Sequence, residues 1–260
     1  MLGNTVKSSL PSVINWRLIY YFINCGHLPP GFARRTFASD NLPGAPHSAL
    51  TIVEANPLSG GYCELTLRSK KELSPLPEPG QYLHAALAPE MPLSIWPILK
   101  MQDADTLQVL SRTSAARGTE LLHARIEGEA PAPDPARAHI VLVSAESALA
   151  CSIFAASRLR LQPHYALTVF AQFAHAIPFN AVPSQILMPA CPSNVIAAVP
   201  LLDSWNIPSR LAGSLEQSGF YHDDVDGLLE SWWQRLDKEE HFRAQILGFG
   251  EKPFLRRLGN

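Results

Sequence analysis

Proline stands at every second position in the run Ala130-Pro131-Ala132-Pro133-Asp134-Pro135-Ala136. Proline fixes φ and has no amide hydrogen, so this stretch can join neither a helix interior nor a sheet ladder and forms a stiff, extended spacer. A single continuous sheet or bundle cannot run through it. The chain therefore divides into residues 48–130 and residues 137–260, preceded by an N-terminal extension, residues 1–47. The hydrophobic pattern on the two sides of the spacer differs, which makes the division a change of architecture.

Before the spacer the pattern has period two. Leu50-Thr51-Ile52-Val53-Glu54-Ala55 is followed by the turn Asn56-Pro57-Leu58-Ser59-Gly60-Gly61, and residues 62–68 alternate apolar and polar side chains. Further short strands are expected over 82–87, 93–99 and 106–111, the first of them introduced by the turn dipeptide Pro79-Gly80. Short strands separated by turn residues predict an antiparallel barrel or sandwich. Pro92 cannot donate to a ladder, so Leu93, Ser94 and Ile95 are expected to begin an edge strand or an open loop. Thr119 is a suitable N-cap for a short helical turn.

After the spacer, His139-Ile140-Val141-Leu142-Val143 is a continuous apolar run, as in a strand buried on both faces of a parallel sheet. A helix is expected over 147–161, with Leu149, Ile153, Ala156 and Leu159 on one face, and a second over 225–236. Strands are expected over 167–171, 185–188, 195–199 and 244–249. Strands alternating with helices predict an open, mainly parallel α/β sheet. The expected fold is thus an antiparallel β-barrel or sandwich followed by an α/β unit. Phe170, Phe173, Trp205, Trp232 and Trp233 read as packing residues, the last two beside the snorkelling bases Arg235 and Lys238.

Residues 14–23 read as a short amphipathic helix presenting Trp16 and Tyr20. Asn15 and Arg17 interrupt the run, and it is too short to cross a bilayer. The formal charge of −2 gives no electrostatic reason to bind nucleic acid. Charged residues are only 17% of the chain, which suggests that a partner covers part of the surface, although the high Ala and Pro content explains it as well. Cys25, Cys63, Cys151 and Cys191 are far apart, without the spacing of a metal site, and read as reduced thiols of a cytoplasmic protein. His222, Asp223, Asp224 and Asp226 precede a helix and are expected to cap it and complement its dipole.

The strand Pro79-Gly80-Gln81-Tyr82 followed by Pro92-Leu93-Ser94-Ile95 resembles the flavin-binding barrel of the ferredoxin reductase superfamily, and within it the electron-transfer subunits of dihydroorotate dehydrogenase. The order barrel then α/β unit is the order of that superfamily. The resemblance implies FAD, with Tyr82, Pro92, Leu93, Ser94 and Ile95 at the cofactor. The superfamily has an Arg before the Pro, contacting the cofactor's phosphates, where this chain has Met91. A Gly-Lys-Gly-Thr-like phosphate loop of the family is similar to Ala116-Arg117-Gly118-Thr119, so Arg117, Gly118 and Thr119 are implied at the diphosphate.

The resemblance stops short of NAD(P). The family's glycine-rich turn after the first strand of the α/β unit is here Ser144-Ala145-Glu146-Ser147-Ala148, without a glycine. Glu146 would add a carboxylate where a dinucleotide phosphate belongs. The turn reads as a plain strand-to-helix connection capped by Ser144 or Ser147. The family's Cys-Gly-Pro turn resembles Phe249-Gly250-Glu251-Lys252-Pro253, with Phe249 expected to crowd a nicotinamide. Ser144, Glu146 and Gly250 are therefore the weak nucleotide set. No cysteine follows Cys191, so the iron–sulfur cluster of the electron-transfer subunits has no ligands here. Two readings follow: a divergent flavin-dependent oxidoreductase passing electrons between a donor and a redox partner protein, or a non-catalytic module using the same shape to bind a scaffold partner.

Overall fold

The computed structural model describes residues 19–20, 49–130, 132–215 and 217–258. Six antiparallel strands form the first sheet: β2 (Leu50–Pro57), β3 (Cys63–Ser69), β4 (Tyr82–Ala86), β5 (Ser94–Met101), β6 (Thr106–Ser111) and β7 (Leu122–Glu127), in the order β2-β3-β6-β5-β4-β7. The alternation read in the sequence lines its interior. Ile52, Leu65, Leu67, Leu83, Trp96, Ile98, Leu107 and Val109 form one core cluster, each at most 1% exposed.

Sequence periodicity missed β7, although Leu122, Ala124 and Ile126 alternate. Thr119, expected to cap a helical turn, does not, because the segment before β7 closes the barrel instead. Thr51 bridges Glu120, the Ile52 N–H donates to the Thr119 carbonyl, and the Leu121 N–H donates to the Leu50 carbonyl. Backbone groups engaged with β2 are not available to start a helix. β5 is not an edge strand either, since it lies between β6 and β4. Its edge character is confined to residues 94–97, where it pairs with β4 while pairing with β6 begins at Ile98.

The second sheet is entirely parallel, in the order β1-β13-β8-β9-β12, where β1 is Ile19–Tyr20, β8 His139–Ala145, β9 Ala166–Gln172, β12 Ser209–Ala212 and β13 Ala244–Phe249. Ile19 and Tyr20, assigned above to a helix, pair with Leu247 and Gly248 at the edge of β13; the rest of that expected helix lies outside the described residues. Ile140 and Leu142 pack on one face and Val141 and Val143 on the other, which is why β8 is apolar at consecutive positions. Helices α1 (Leu149–Leu159) and α2 (Pro200–Ser204) cover the first face; α3 (Val225–Trp233) and α5 (Lys252–Leu258) cover the second. The short α4 (Lys238–Arg243) carries a capping box between Asp237 and Glu240.

Of the expected strands, one is not formed and another is formed only in part. Over 185–188 polar side chains hold the backbone in a turn. The Ser184 hydroxyl bonds Asp203 at 2.7 Å and accepts from the Ile186 N–H, while the buried Arg210 donates to the Ile186 carbonyl at 2.8 Å. Over 195–199 the paired strand is confined to β11 (Ala197–Ala198), which joins β10 (Val182–Pro183) in a separate two-stranded ribbon. The strand that does extend the parallel sheet is β12, whose polar Ser209 and Arg210 hid it from an apolar pattern.

The two sheets exchange side chains. Phe154 of α1 is buried in the barrel cluster, and Tyr82 of β4 is buried in the α/β cluster. On β5, Trp96 and Ile98 face the barrel core, while Ile95 and Leu99 face the α/β unit. Cys63, Cys151 and Cys191 are free and buried; burial pushes the Cys151 thiol up to about 12 and the Cys191 thiol to about 11, so neither supplies a thiolate nucleophile. No described helix is long and apolar enough to cross a membrane.

Candidate functional site

The first candidate site is one end of the barrel. β4 ends at Ala86, with Ala85 opposite Ser94 of β5 and Ala86 opposite Leu122 of β7. This register brings residues 91–94 and residues 116–119 to the same end, on either side of β4. Met91 and Leu93 are 43% and 40% exposed, Pro92 is exposed, and Ser94 is half-buried with a hydroxyl that bonds no described residue. Arg117 is exposed and makes no ion pair with a described residue. Gly118 has φ +88°, and a Cβ there would find no atom within 4 Å, so this backbone faces open space. An apolar ledge, a free hydroxyl and a free guanidinium fit a flat ring with an anionic tail.

Other members of the expected set are engaged elsewhere. Tyr82 is 2% exposed, and its hydroxyl donates to Glu127 at 3.4 Å, so its ring offers no stacking face. Ile95 packs against the α/β core. The Gly118 N–H donates to the Ile52 carbonyl at 2.7 Å and the Thr119 N–H to the Ala116 carbonyl at 3.2 Å. These two amides therefore do not form a phosphate cradle; Arg117 is what remains there for an anion.

The second candidate site is the carboxyl end of the parallel sheet. β13 returns to the far side of β8 from β9, so strand order reverses between β8 and β13, the position where open α/β sheets leave a ligand crevice. Ser144 ends up fully buried, its hydroxyl without a partner among the described residues, and caps nothing. Ser147 makes no cap either: the turn is made by Glu146 itself, at φ +52°. The Phe249 side chain turns into the core at 2% exposure and does not crowd the crevice. Gly250 is backed by Phe254, whose ring lies 2.6 Å from where a Cβ would be.

Glu146 dominates this end. Its carboxylate accepts from the Ala174 N–H at 2.7 Å and the Tyr62 hydroxyl at 3.1 Å, and Arg112 approaches to 3.5 Å. Arg112 also lies over the Tyr62 ring, 4.8 Å from its centroid. The carboxylate thus collects a backbone amide, a phenol and a guanidinium, the donors an anionic ligand would use, and ties the barrel to the ends of β8 and β9. Tyr62 and Arg112 were not legible as site residues: Tyr62 lies 84 positions from Glu146, and no local motif marks the pair.

Burial, reinforced by the Glu146 charge, pushes the Tyr62 phenol up to about 12. Because its folded value is raised, the neutral phenol's contribution to stability is complete below about 10, the ordinary tyrosine value, and is lost as pH rises toward 12. Glu146→Gln is expected to lower the Tyr62 midpoint while leaving it above 10, since burial is the larger cause. Carbon-13 NMR of labelled tyrosine checks this; an unchanged midpoint would remove Glu146 from the phenol's environment.

Of the acids before α3, Asp224 stands at the N-cap position without capping. It accepts from Gln172 at 2.8 Å, and Arg257 pairs with Asp224 and Asp226. Among the described residues no group of His, Cys, Asp and Glu could hold a metal ion.

No family model and no curated protein matches this sequence. Solved structures do resemble it. The ferredoxin reductase of carbazole 1,9a-dioxygenase superposes with a TM-score of 0.57 at 12% identity over 81% of this chain, which spans 63% of that reductase. A ferredoxin NADP+ reductase from Neisseria gonorrhoeae with bound FAD and NADP gives 0.53 at 9% identity, covering 81% of this chain and 88% of that one. A siderophore-interacting protein from Acinetobacter baumannii gives 0.52 at 12% identity, covering 81% and 80%. At such identities the likeness is one of fold: a flavin-binding-type barrel followed by a nucleotide-binding-type parallel sheet.

Proposed function

We propose that this chain, which has the fold of the ferredoxin reductases, is a divergent flavin-dependent electron-transfer protein without a working NAD(P) site. Residues 48–130 are the flavin-binding half and residues 137–260 the nucleotide-binding-like half. The observation that carries the reading is the barrel end reached by the end of β4, where Met91 and Leu93 are exposed, the Ser94 hydroxyl bonds no described residue, and the segment leading into β7 carries Arg117, without an ion pair to a described residue. There the two apolar side chains bear on a ring face, Ser94 bonds a polar ring edge, and Arg117 neutralises phosphate charge. Bound flavin supplies the redox chemistry; the chain supplies position and charge. Electrons arrive from and leave to a protein partner rather than a nicotinamide, because Glu146 occupies the donors at the sheet end.

A visible absorption spectrum of the purified protein, before and after excess FAD and desalting, tests this. The expected result is a retained flavin band. Ser94→Ala, deleting one hydrogen bond of about 1.4 kcal/mol, weakens retention about tenfold. Gly118→Val, forced into a left-handed conformation, weakens it further. A colourless protein that fails to hold added FAD sinks the flavin reading. A second reading, a non-catalytic module that binds a protein partner, then stands. The internally bonded Gly118 and Thr119 amides and the satisfied Glu146 carboxylate support it.

A further inference from the structure

A groove of about 700 Å³ runs between β5, β6 and α1, and none of its lining residues belongs to either site above. Its volume is that of a small-molecule site, about 300–1,000 Å³. Period-two alternation on β6 sends Leu107 and Val109 into the barrel, leaving Gln108 on the outer face under α1. Gln108 is 5% exposed; its Nε2 donates to the Thr66 hydroxyl at 3.2 Å, while its Oε1 has no partner among the described residues. A buried acceptor lining a roomy groove is an unmet demand for an N–H or O–H donor.

The walls supply the rest of a recognition pattern. Leu161 is 70% exposed, Leu76 50% and Leu201 42%, an apolar surface gathered around one concavity. Lys100, Arg158 and Arg160 line it without an ion pair to any described residue, although Glu64 and Asp103 line it too. The two guanidiniums are held over aromatic rings, Arg158 5.6 Å from the centroid of Phe154 and Arg160 4.5 Å from that of Trp205. Their cationic heads are thereby fixed at the rim, beside apolar walls and above a buried acceptor.

We propose that this groove binds an amphipathic organic anion carrying an N–H or O–H donor: the apolar body lies against the leucines, the donor meets Gln108 Oε1, and the anionic group meets Arg158 and Arg160. The site stands independently of the flavin reading. 1-Anilinonaphthalene-8-sulfonate has all three features, and its fluorescence reports binding. The expected result is saturable binding by the full chain, weakened about tenfold or more by the double substitution Arg158→Glu and Arg160→Glu. Gln108→Leu weakens it by a similar factor, and Ser94→Ala leaves it unchanged. N-phenyl-1-naphthylamine, the same body without the sulfonate, binds at least about tenfold more weakly. Both arginines are exposed, so the charge-reversed protein tests the site even if Gln108→Leu fails to fold. Wild-type affinity in the charge-reversed protein, or equal affinity for the neutral analogue, overturns the proposal.

Discussion

Replacing Phe154 by alanine is expected to lower the free energy of unfolding by about 3–5 kcal/mol, the range for deleting a buried phenylalanine. Phe154 belongs to α1, whose Leu149, Ile153, Ala156 and Leu159 lie in the cluster of the parallel sheet, yet its ring is 1% exposed and sits in the barrel cluster with Leu65, Trp96 and Leu107. The substitution therefore opens a cavity at the junction of the two sheets, where neither can collapse independently. It also removes the aromatic ring under Arg158. Denaturant unfolding followed by circular dichroism and by tryptophan fluorescence measures the effect. The wild type is expected to give coincident transitions, and Phe154→Ala to separate them as the barrel and the α/β sheet lose their shared core. A loss below about 1 kcal/mol, with coincident transitions retained, would mean that the ring is not an essential clasp.

Gly213→Ala is the second large effect. Gly213 follows β12 with φ +142°, and a Cβ there would lie 1.8 Å from the Phe173 carbonyl oxygen and 2.8 Å from its carbon. Both obstructing atoms are backbone. That backbone is anchored, since the Phe173 N–H donates to the Ala212 carbonyl at 3.0 Å and the Gly213 N–H to the Tyr221 carbonyl at 2.9 Å. No rotamer change relieves the overlap, so the ends of β9 and β12 must separate. The left-handed strain and the overpacking each cost about 1–3 kcal/mol, for a combined loss of about 4 kcal/mol. Thermal unfolding measures it, and amide exchange at Phe173 and Gly213 locates it: both amides are expected to lose protection before the centre of β8 does. Because Phe173 leads into the loop that carries the Ala174 amide, the substitution also displaces a donor from Glu146. Unchanged protection would show that the chain has another way to accommodate a methyl group there.

The parts of the fold that were legible in advance are those whose apolar residues follow a local pattern, alternating or continuous. Leu65 and Leu67 on β3 and Leu107 and Val109 on β6 alternate with polar residues, and the four consecutive apolar residues after His139 mark β8 as covered on both faces. The parts misread are those where polar groups decide the backbone. Residues 184–186 carry apolar neighbours suited to a strand but are held in a turn by Ser184, Asp203 and Arg210. The strand β12 was hidden because Arg210, 4% exposed, spends its charge on carbonyl groups rather than at the surface.

The candidate sites divide the same way. Leu93, Ser94, Arg117 and Gly118 could be singled out from short motifs, and the strand register brings their segments to one barrel end. The fate of the neighbouring amides could not be read there. Gly118 and Thr119 look like a phosphate loop in sequence, but residues 118–121 are needed to close the barrel against β2, more than sixty positions earlier in the chain. Glu146 was visible as a misplaced carboxylate, and only the fold supplies its three partners from the residue after β6, the loop after β9 and the turn before β3.

Hydrophobic periodicity and the proline spacer were enough to predict an antiparallel barrel or sandwich followed by a mainly parallel sheet, because they reflect which face of each segment leaves water, a property of neighbouring residues. Strand order, barrel closure and the pairing of Glu146 with Tyr62, Arg112 and the Ala174 amide were settled only in three dimensions. A polar group has no period to declare its partner. It is satisfied by whichever donor the packing of distant segments brings within about 3 Å.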